Sequence, residues 1–193
     1  RSNDGKNSQS KSYRRLVFDE ICANFLTLSE NRKRIRKNKI KKNFLEKYSF
    51  QIEKSLPFKL TKSQSNVLNE INNDLKSEKR MFRIIQGDVG SGKTIVSFLA
   101  MANVIESKNQ CALMSPTEIL AKQHYKLIKK IFKFNKFKIN FLSGKTENKE
   151  KKEILKNLED GKIDFLIGTH ALFQKKIIFK KLGLAGIDEQ HKF

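Results

Sequence analysis

Gly87-Asp88-Val89-Gly90-Ser91-Gly92-Lys93-Thr94 fills every required position of the pattern G-x-x-x-x-G-K-T. A short apolar run at residues 81–86 precedes it, and a helical pattern over about 93–107 follows. That strand, turn and helix setting is what gives the pattern meaning. The glycines let the backbone curl until several N–H groups converge, and the first turn of the helix adds partial positive charge. Such a curl receives phosphate oxygens. Lys93 is expected to reach the β- and γ-phosphates of a nucleoside triphosphate, and the Thr94 hydroxyl to ligate Mg²⁺.

Outward from this loop, the chain alternates helix and strand with short joints. Upstream, Pro57 ends a helical segment and disfavours helix at Leu56; Gln64, Val67, Leu68, Ile71 and Leu75 then form a helical stripe. Downstream, residues 110–115 read as a strand. Thr117 is placed to cap a helix bearing Leu120, Leu127, Ile128 and Ile131. Strand 138–142, a Lys- and Glu-rich helix over about 147–160, strand 163–167 and a last strand, Leu182–Ile187, complete the series. This alternation predicts an α/β fold: a parallel sheet with helices on both faces. Leu99, Ile105, Leu113, Ile128 and Ile167 are expected in its core.

Asp188-Glu189 directly follows the last of these strands. In open α/β sheets the carboxyl ends of the strands face the ligand crevice. Asp188 is therefore expected to hold Mg²⁺ and Glu189 to polarise an attacking water as general base.

The chain of 193 residues has 41 Lys+Arg against 20 Asp+Glu, a formal charge of +21, and 38% hydrophobic residues. That apolar fraction can build a core and argues against wholesale disorder. No apolar run approaches the ~20 residues of a membrane span. Cys22 and Cys111 make no disulfide framework, which suits a reducing cytosol. With 33 lysines, 8 arginines and 16 asparagines, part of the charge is what AT-rich coding would produce. A chain this basic is nevertheless drawn to polyanions, above all nucleic acid. Residues 1–60 carry 16 basic and 6 acidic side chains, concentrated in the run Arg32, Lys33, Arg34, Arg36, Lys37, Lys39, Lys41, Lys42. Two readings stand open for that run: a solvated helix face, or a set of phosphate contacts. Before it, residues 1–12 read as disordered or linker, and Val17, Ile21, Phe25 and Leu28 share one face of a helix over about 13–29. The first residue, Arg1, and the chemically loaded last residues suggest an internal piece of a longer protein.

Four segments resemble superfamily-2 helicases of the Asp-Glu-x-His kind. Asp188-Glu189-Gln190-His191 resembles their motif II, and the run Pro116-Thr117-Glu118-Ile119-Leu120-Ala121-Lys122-Gln123-His124 their motif Ia. Gly168-Thr169-His170-Ala171-Leu172 resembles motif Ic, and Leu60-Thr61 with Gln64 the upstream glutamine motif. In this order and spacing they resemble the RecG family of ATP-dependent, branched-DNA helicases. Transcription-repair coupling factors favour Gly-Phe-Gly at Gly90-Ser91-Gly92 and Thr-Thr-Leu-Leu at Thr117-Glu118-Ile119-Leu120. They also favour Arg at Ala171 and Glu at Gln190, so all four positions side with RecG. Lys192 stands where the family more often has Arg.

The resemblance implies a P-loop NTPase (RecA-like) lobe over residues 56–193, incomplete at its C-terminus, preceded by a basic helical linker over 13–55. It implies ATP and Mg²⁺ as cofactors, forked or Holliday-junction DNA as partner, no membrane, a monomer, and a bacterial cytosol. Gln64 would read the adenine edge, and Gly87, Asp88, Val89, Gly90, Ser91, Gly92, Lys93 and Thr94 would hold the phosphates. Lys93, Asp188 and Glu189 would be catalytic, with Thr94 and Asp188 on the metal. Thr117, Gly144, Thr169 and His170 would touch the DNA backbone, and Gln190 and His191 would link nucleotide state to DNA. For His170 and His124 a plain hydrogen-bonding role near the sheet edge is the other reading. In RecA-like sheets the strand leading into motif III lies between the phosphate-loop strand and the motif II strand, and here it would come after Phe193. Residues 1–193 alone are therefore expected to fold poorly and to lack DNA-stimulated ATPase. The competing function is an ATPase module coupled to a protein partner, as in a coupling-factor-like translocase.

Overall fold

Apolar residues at every third or fourth position bury one face of a helix, whereas unbroken apolar runs bury both faces of a strand. Both patterns are realised in the computed structural model, which describes residues 11–35, 39, 44–133 and 137–190. Two compact units emerge. One comprises Arg1–Lys41 with Ser77–Ile84, the other Lys42–Lys76 with Ile85–Phe193.

In the first unit, helix α1 (Lys11–Ile35) is longer than the stripe of Val17, Ile21, Phe25 and Leu28 that announces it. Lys11 and Ser12 are helical and not disordered, while the rest of the segment expected as disordered or linker lies outside the described residues. Ile21, Phe25 and Leu28 are exposed. Most of the basic run at 32–42 also lies outside the described residues or has undescribed side chains. The backbone N–H of Lys39 donates to the Glu78 carbonyl at 2.7 Å.

The second unit is built on a parallel sheet. Its strands β1 (Gln110–Met114), β2 (Ile139–Leu142), β3 (Phe165–Gly168) and β4 (Leu182–Ile187) lie in the order β2-β3-β1-β4. The register is level at one end, where Met114 pairs with Gly168 and Ile187, and Leu142 with Gly168. The carboxyl ends of all four strands therefore open on a single edge. Helices α2 (Lys47–Ser55), α3 (Lys62–Lys76), α4 (Lys93–Glu106), α5 (Glu118–Ile131) and α6 (Asn148–Glu159) surround the sheet, with a 3₁₀ turn at His170–Phe173. Successive strand residues point to opposite faces. Phe165 meets Phe98 of α4 edge to face at 6.4 Å, whereas Leu166 joins Ile154 and Leu158 of α6 in a separate cluster. Helices thus cover both faces, as the alternation predicts. Leu99, Ile105, Leu113, Ile128 and Ile167 are all buried. Of the apolar residues expected along that helix, Leu127 is exposed, and Ala121 with Ile128 forms the buried side of α5.

The apolar run at residues 81–86 departs from expectation. It carries no regular secondary structure and is not one of the four strands, and Phe82 and Ile84 are exposed. A strand needs a neighbour to take its N–H and C=O groups, and β-propensity without that neighbour does not make one. Strand β4 pairs with β1 and, among the described residues, with no strand on its other side. Leu56, in extended conformation, caps the end of α2 just before Pro57, as proline chemistry requires. Helix α2 packs against α4, so the second compact unit includes residues upstream of Leu56.

Two local devices hold the sheet edges. Buried Gln110 donates through Nε2 to the carbonyls of Leu158 (2.9 Å) and Ile163 (2.8 Å), while its Oε1 accepts from Lys181 N at 2.9 Å. One amide thereby ties together the loops that enter β3 and β4. At the opposite end, a Cβ on Gly168 would lie 2.0 Å from the Leu142 carbonyl oxygen. Gly168→Ala is expected to force β2 and β3 apart and to destabilise the lobe by about 1–3 kcal/mol or more. Thermal melting of the intact protein checks this, and an unchanged transition would refute it.

Candidate active site

The phosphate-loop sequence folds into a tight curl because two of its glycines adopt left-handed backbone. Gly90 and Gly92 both have φ +81°, a region that costs a side-chain-bearing residue about 1–2 kcal/mol. Ser91 N donates to the Asp88 carbonyl at 3.2 Å, and Gly92 caps α4 by accepting from Ile95 N and Val96 N. Lys93 opens the helix and folds back, its Nζ donating to the carbonyls of Gly87 and Asp88 at 2.7 Å each. Val89 stands fully exposed at the tip of the loop. Thr94 is half-buried in the first turn of α4, beside Lys93.

Gln64, 27 residues before Ser91 in the chain, is drawn onto this loop. Its Nε2 donates to the Ser91 carbonyl at 2.9 Å, and its Oε1 accepts from Thr61 N at 2.9 Å. The bond to Thr61, returned by Gln64 N to Thr61 Oγ1 at 3.2 Å, fixes the side chain at the start of α3. A Cβ on Gly92 would sit 2.4 Å from Gln64 Nε2, so glycine there answers both a backbone and a contact requirement. A primary amide has two donors and two acceptor lone pairs. After these bonds Gln64 keeps one of each.

Asp188 stands at the carboxyl end of β4, its N–H donating to the Met114 carbonyl at 2.8 Å. His124 of α5 donates from Nε2 to Asp188 Oδ2 at 2.6 Å. That hydrogen bond is the main reason the Asp188 carboxyl lies below its ordinary pKa. The Lys93 charge and the Glu189 main-chain N–H pull the same way, against the cost of burial. The phosphate-loop lysine and the strand-end carboxylate are thus within electrostatic reach of each other. Glu189 follows at φ +52°, in the sparsely populated left-handed region for a residue with a side chain. Gln190 is exposed beyond it, and His191 lies outside the described residues.

The other expected contacts share the same sheet edge. Thr117, after β1, caps α5 by accepting from Leu120 N at 3.3 Å through Oγ1. Gly144, after β2, is exposed in an open turn. Glu118 in the first turn of α5 binds Lys122 at 2.7 Å and stands 3.9 Å from Lys145, which brings the Gly144 turn to the start of α5. Thr169, after β3, is buried as the cap of the 3₁₀ turn, while His170 is exposed on it. His124 is the residue whose role the sequence understated. Its partner lies 64 residues away, and nothing in the local pattern marks the pair.

The donor set suits a magnesium nucleotide. A hydroxyl at Thr94 and one or two carboxylates beside a phosphate cradle match Mg²⁺, which takes few protein ligands and keeps substrate phosphates and waters. Among the described residues no cluster of three or more His, Cys, Asp or Glu could cage a metal by itself. Also among the described residues, no helix is long and apolar enough to cross a membrane.

Residues 61–193 match the DEAD/DEAH box helicase family. The chain is similar to the ATP-dependent DNA helicase RecG of Aquifex aeolicus, 43% identical over 94% of this chain and 23% of the relative. It is also similar to that of Thermotoga maritima, 46% identical over 95% of this chain and 24% of the relative. The chain therefore spans about a quarter of the length of the curated relatives it matches. A solved structure of RecG bound to a three-way DNA junction superposes with a TM-score of 0.83 at 43% identity, over 93% of this chain and 25% of that one.

Proposed function

Because the chain belongs to the DEAD/DEAH box helicase family, we propose that it forms the nucleotide-hydrolysing lobe of an ATP-dependent DNA helicase or translocase. Its substrates are forked and junction DNA, remodelled in recombination and replication-fork repair in a bacterial cytosol. The observation that carries this is that Lys93 lies within electrostatic reach of Asp188, whose sheet edge also holds the loops of Thr117, Gly144 and Thr169. Similarity to RecG along nearly the whole chain supports DNA as the partner. It does not favour the protein-coupled alternative.

Each residue then has a defined task. The curl from Gly87 to Thr94 wraps the phosphates with its N–H groups, and Lys93 exchanges the Gly87 and Asp88 carbonyls for β- and γ-phosphate oxygens. Thr94 and Asp188 would hold Mg²⁺, whose charge would offset the negative charge that develops on the phosphates. Glu189 takes a proton from the attacking water as the water oxygen bonds to the γ-phosphorus and the bond to the β,γ-bridging oxygen breaks, releasing phosphate and ADP. Gln64 presents its remaining amide donor and acceptor to the adenine edge while bracing the loop. Thr117, Gly144, Thr169 and His170 contact the DNA backbone, and Gln190 with His191 relays nucleotide state to that contact.

Steady-state ATPase of the intact protein tests the proposal. Forked DNA is expected to raise turnover several-fold, and more than linear duplex does. Turnover indifferent to any DNA would refute it.

A further inference from the structure

We propose that His124 is a positioning residue that carries a displacement of helix α5 to the Asp188 carboxylate, so that DNA contact at the start of α5 sets how Asp188 meets Mg²⁺. The proposal rests on the function given above and assigns a route between the two sites.

Three elements converge on this one side chain. His124 belongs to α5, Asp188 ends β4, and Phe98, which packs edge to face on the His124 ring at 6.1 Å and 85°, belongs to the phosphate-loop helix α4. Phe98 is 1% exposed, and the His124 side chain 12%. A ring gripped in this way has little rotamer freedom, so its Nε2–H is aimed and not merely present. The bond it makes, 2.6 Å to a carboxylate oxygen, is a charge-assisted one.

The Asp188 carboxylate is oriented by that bond together with the Glu189 main-chain N–H. Its main chain is fixed by the hydrogen bond to Met114, but a carboxylate on a short stem can still turn. With about four lone-pair sites, it can keep His124 on one oxygen and present another lone pair to a cation. Partners that orient a metal ligand are commonly worth about 10–100-fold in metal affinity.

Helix α5 can act as a lever because both its start and its middle are tied. Thr117 caps it, Glu118 braces it through Lys122 and reaches toward Lys145. His124 follows Thr117 by about two turns, roughly 10 Å along the axis. A shift of the first turn imposed by a DNA phosphate is passed along a hydrogen-bonded helix with little loss, and arrives at the Asp188 carboxylate.

The test uses two variants of the intact protein. His124→Phe keeps an aromatic ring against Phe98 and removes the donor; His124→Gln keeps a donor near the position of Nε2. Three quantities are read: the Mg²⁺ concentration for half-maximal tightening of a fluorescent ATP analogue, the shift of that concentration on adding forked DNA, and the melting temperature. His124→Phe is expected to melt near wild type, to need about 10–100-fold more Mg²⁺, and to lose the DNA-induced shift. His124→Gln is expected to restore much of both. A well-folded His124→Phe with wild-type Mg²⁺ demand and wild-type DNA shift overturns the proposal. Failure of both variants to fold also overturns it, placing His124 in the core as a structural residue. Wild-type protein whose ATPase ignores DNA would instead sink the functional assignment on which the proposal rests.

Discussion

In the intact protein, Lys93→Ala is expected to lower ATP turnover by at least about 10²–10³-fold, the usual loss when one preorganised group facing developing transition-state charge is removed. The structure gives the reason. Two carbonyls of its own loop, 2.7 Å away, hold the Lys93 ammonium at the phosphate loop, where phosphate oxygens replace them when nucleotide binds. Alanine has the same helix-forming ability at the start of α4, and Lys93 is only half-buried. The variant should therefore remain folded, with an unchanged far-ultraviolet spectrum. Nucleotide affinity should fall as well, since the lysine serves both bound ATP and the transition state. Near wild-type turnover in a folded variant would remove the phosphate-loop assignment.

Glu189→Gln should separate binding from chemistry. Replacing the carboxylate by an isosteric amide removes the proton acceptor while keeping shape, and general-base losses run at about 10²–10⁴-fold. ATP should still bind with near wild-type affinity in the presence of Mg²⁺, because Lys93, Thr94 and Asp188 are untouched. A single-turnover measurement with pre-bound ATP distinguishes slow hydrolysis from slow binding. Glu189 sits at φ +52°, a conformation that glutamine tolerates no worse than glutamate, so lost activity cannot be ascribed to altered backbone preference. Hydrolysis at the wild-type rate would show that another group takes the proton.

Much of the lobe was legible because its signals are local. The glycines of the phosphate loop state their own backbone requirement, and Gly90 and Gly92 duly lie at φ +81°. Thr117 announces a helix start by its side-chain chemistry and caps α5. The last strand, Leu182–Ile187, matches its apolar run at both ends, while β3 begins at Phe165, two residues later than its apolar run. Tertiary structure alone decided the rest. The run at 81–86 has the composition of a strand but belongs to none, since pairing is a property of two segments. Gln110 reads as an ordinary polar residue at a strand start, yet it collects the loops before β3 and β4 through bonds to residues 48, 53 and 71 positions away. Gly168 reads as the first residue of a loop motif, and only the closeness of the Leu142 carbonyl shows why no side chain fits.

The site divides in the same way. From the sequence alone came the residues proposed to touch phosphate and metal, because their spacing within one turn or at one strand end is itself the chemistry. What the fold added was their relation: Gln64 on the Ser91 carbonyl, Lys93 near Asp188, and His124 on that same carboxylate. Each is an interaction between segments far apart in the chain, and its energy depends on distance, burial and orientation. Those quantities exist only after the helices have packed on the sheet.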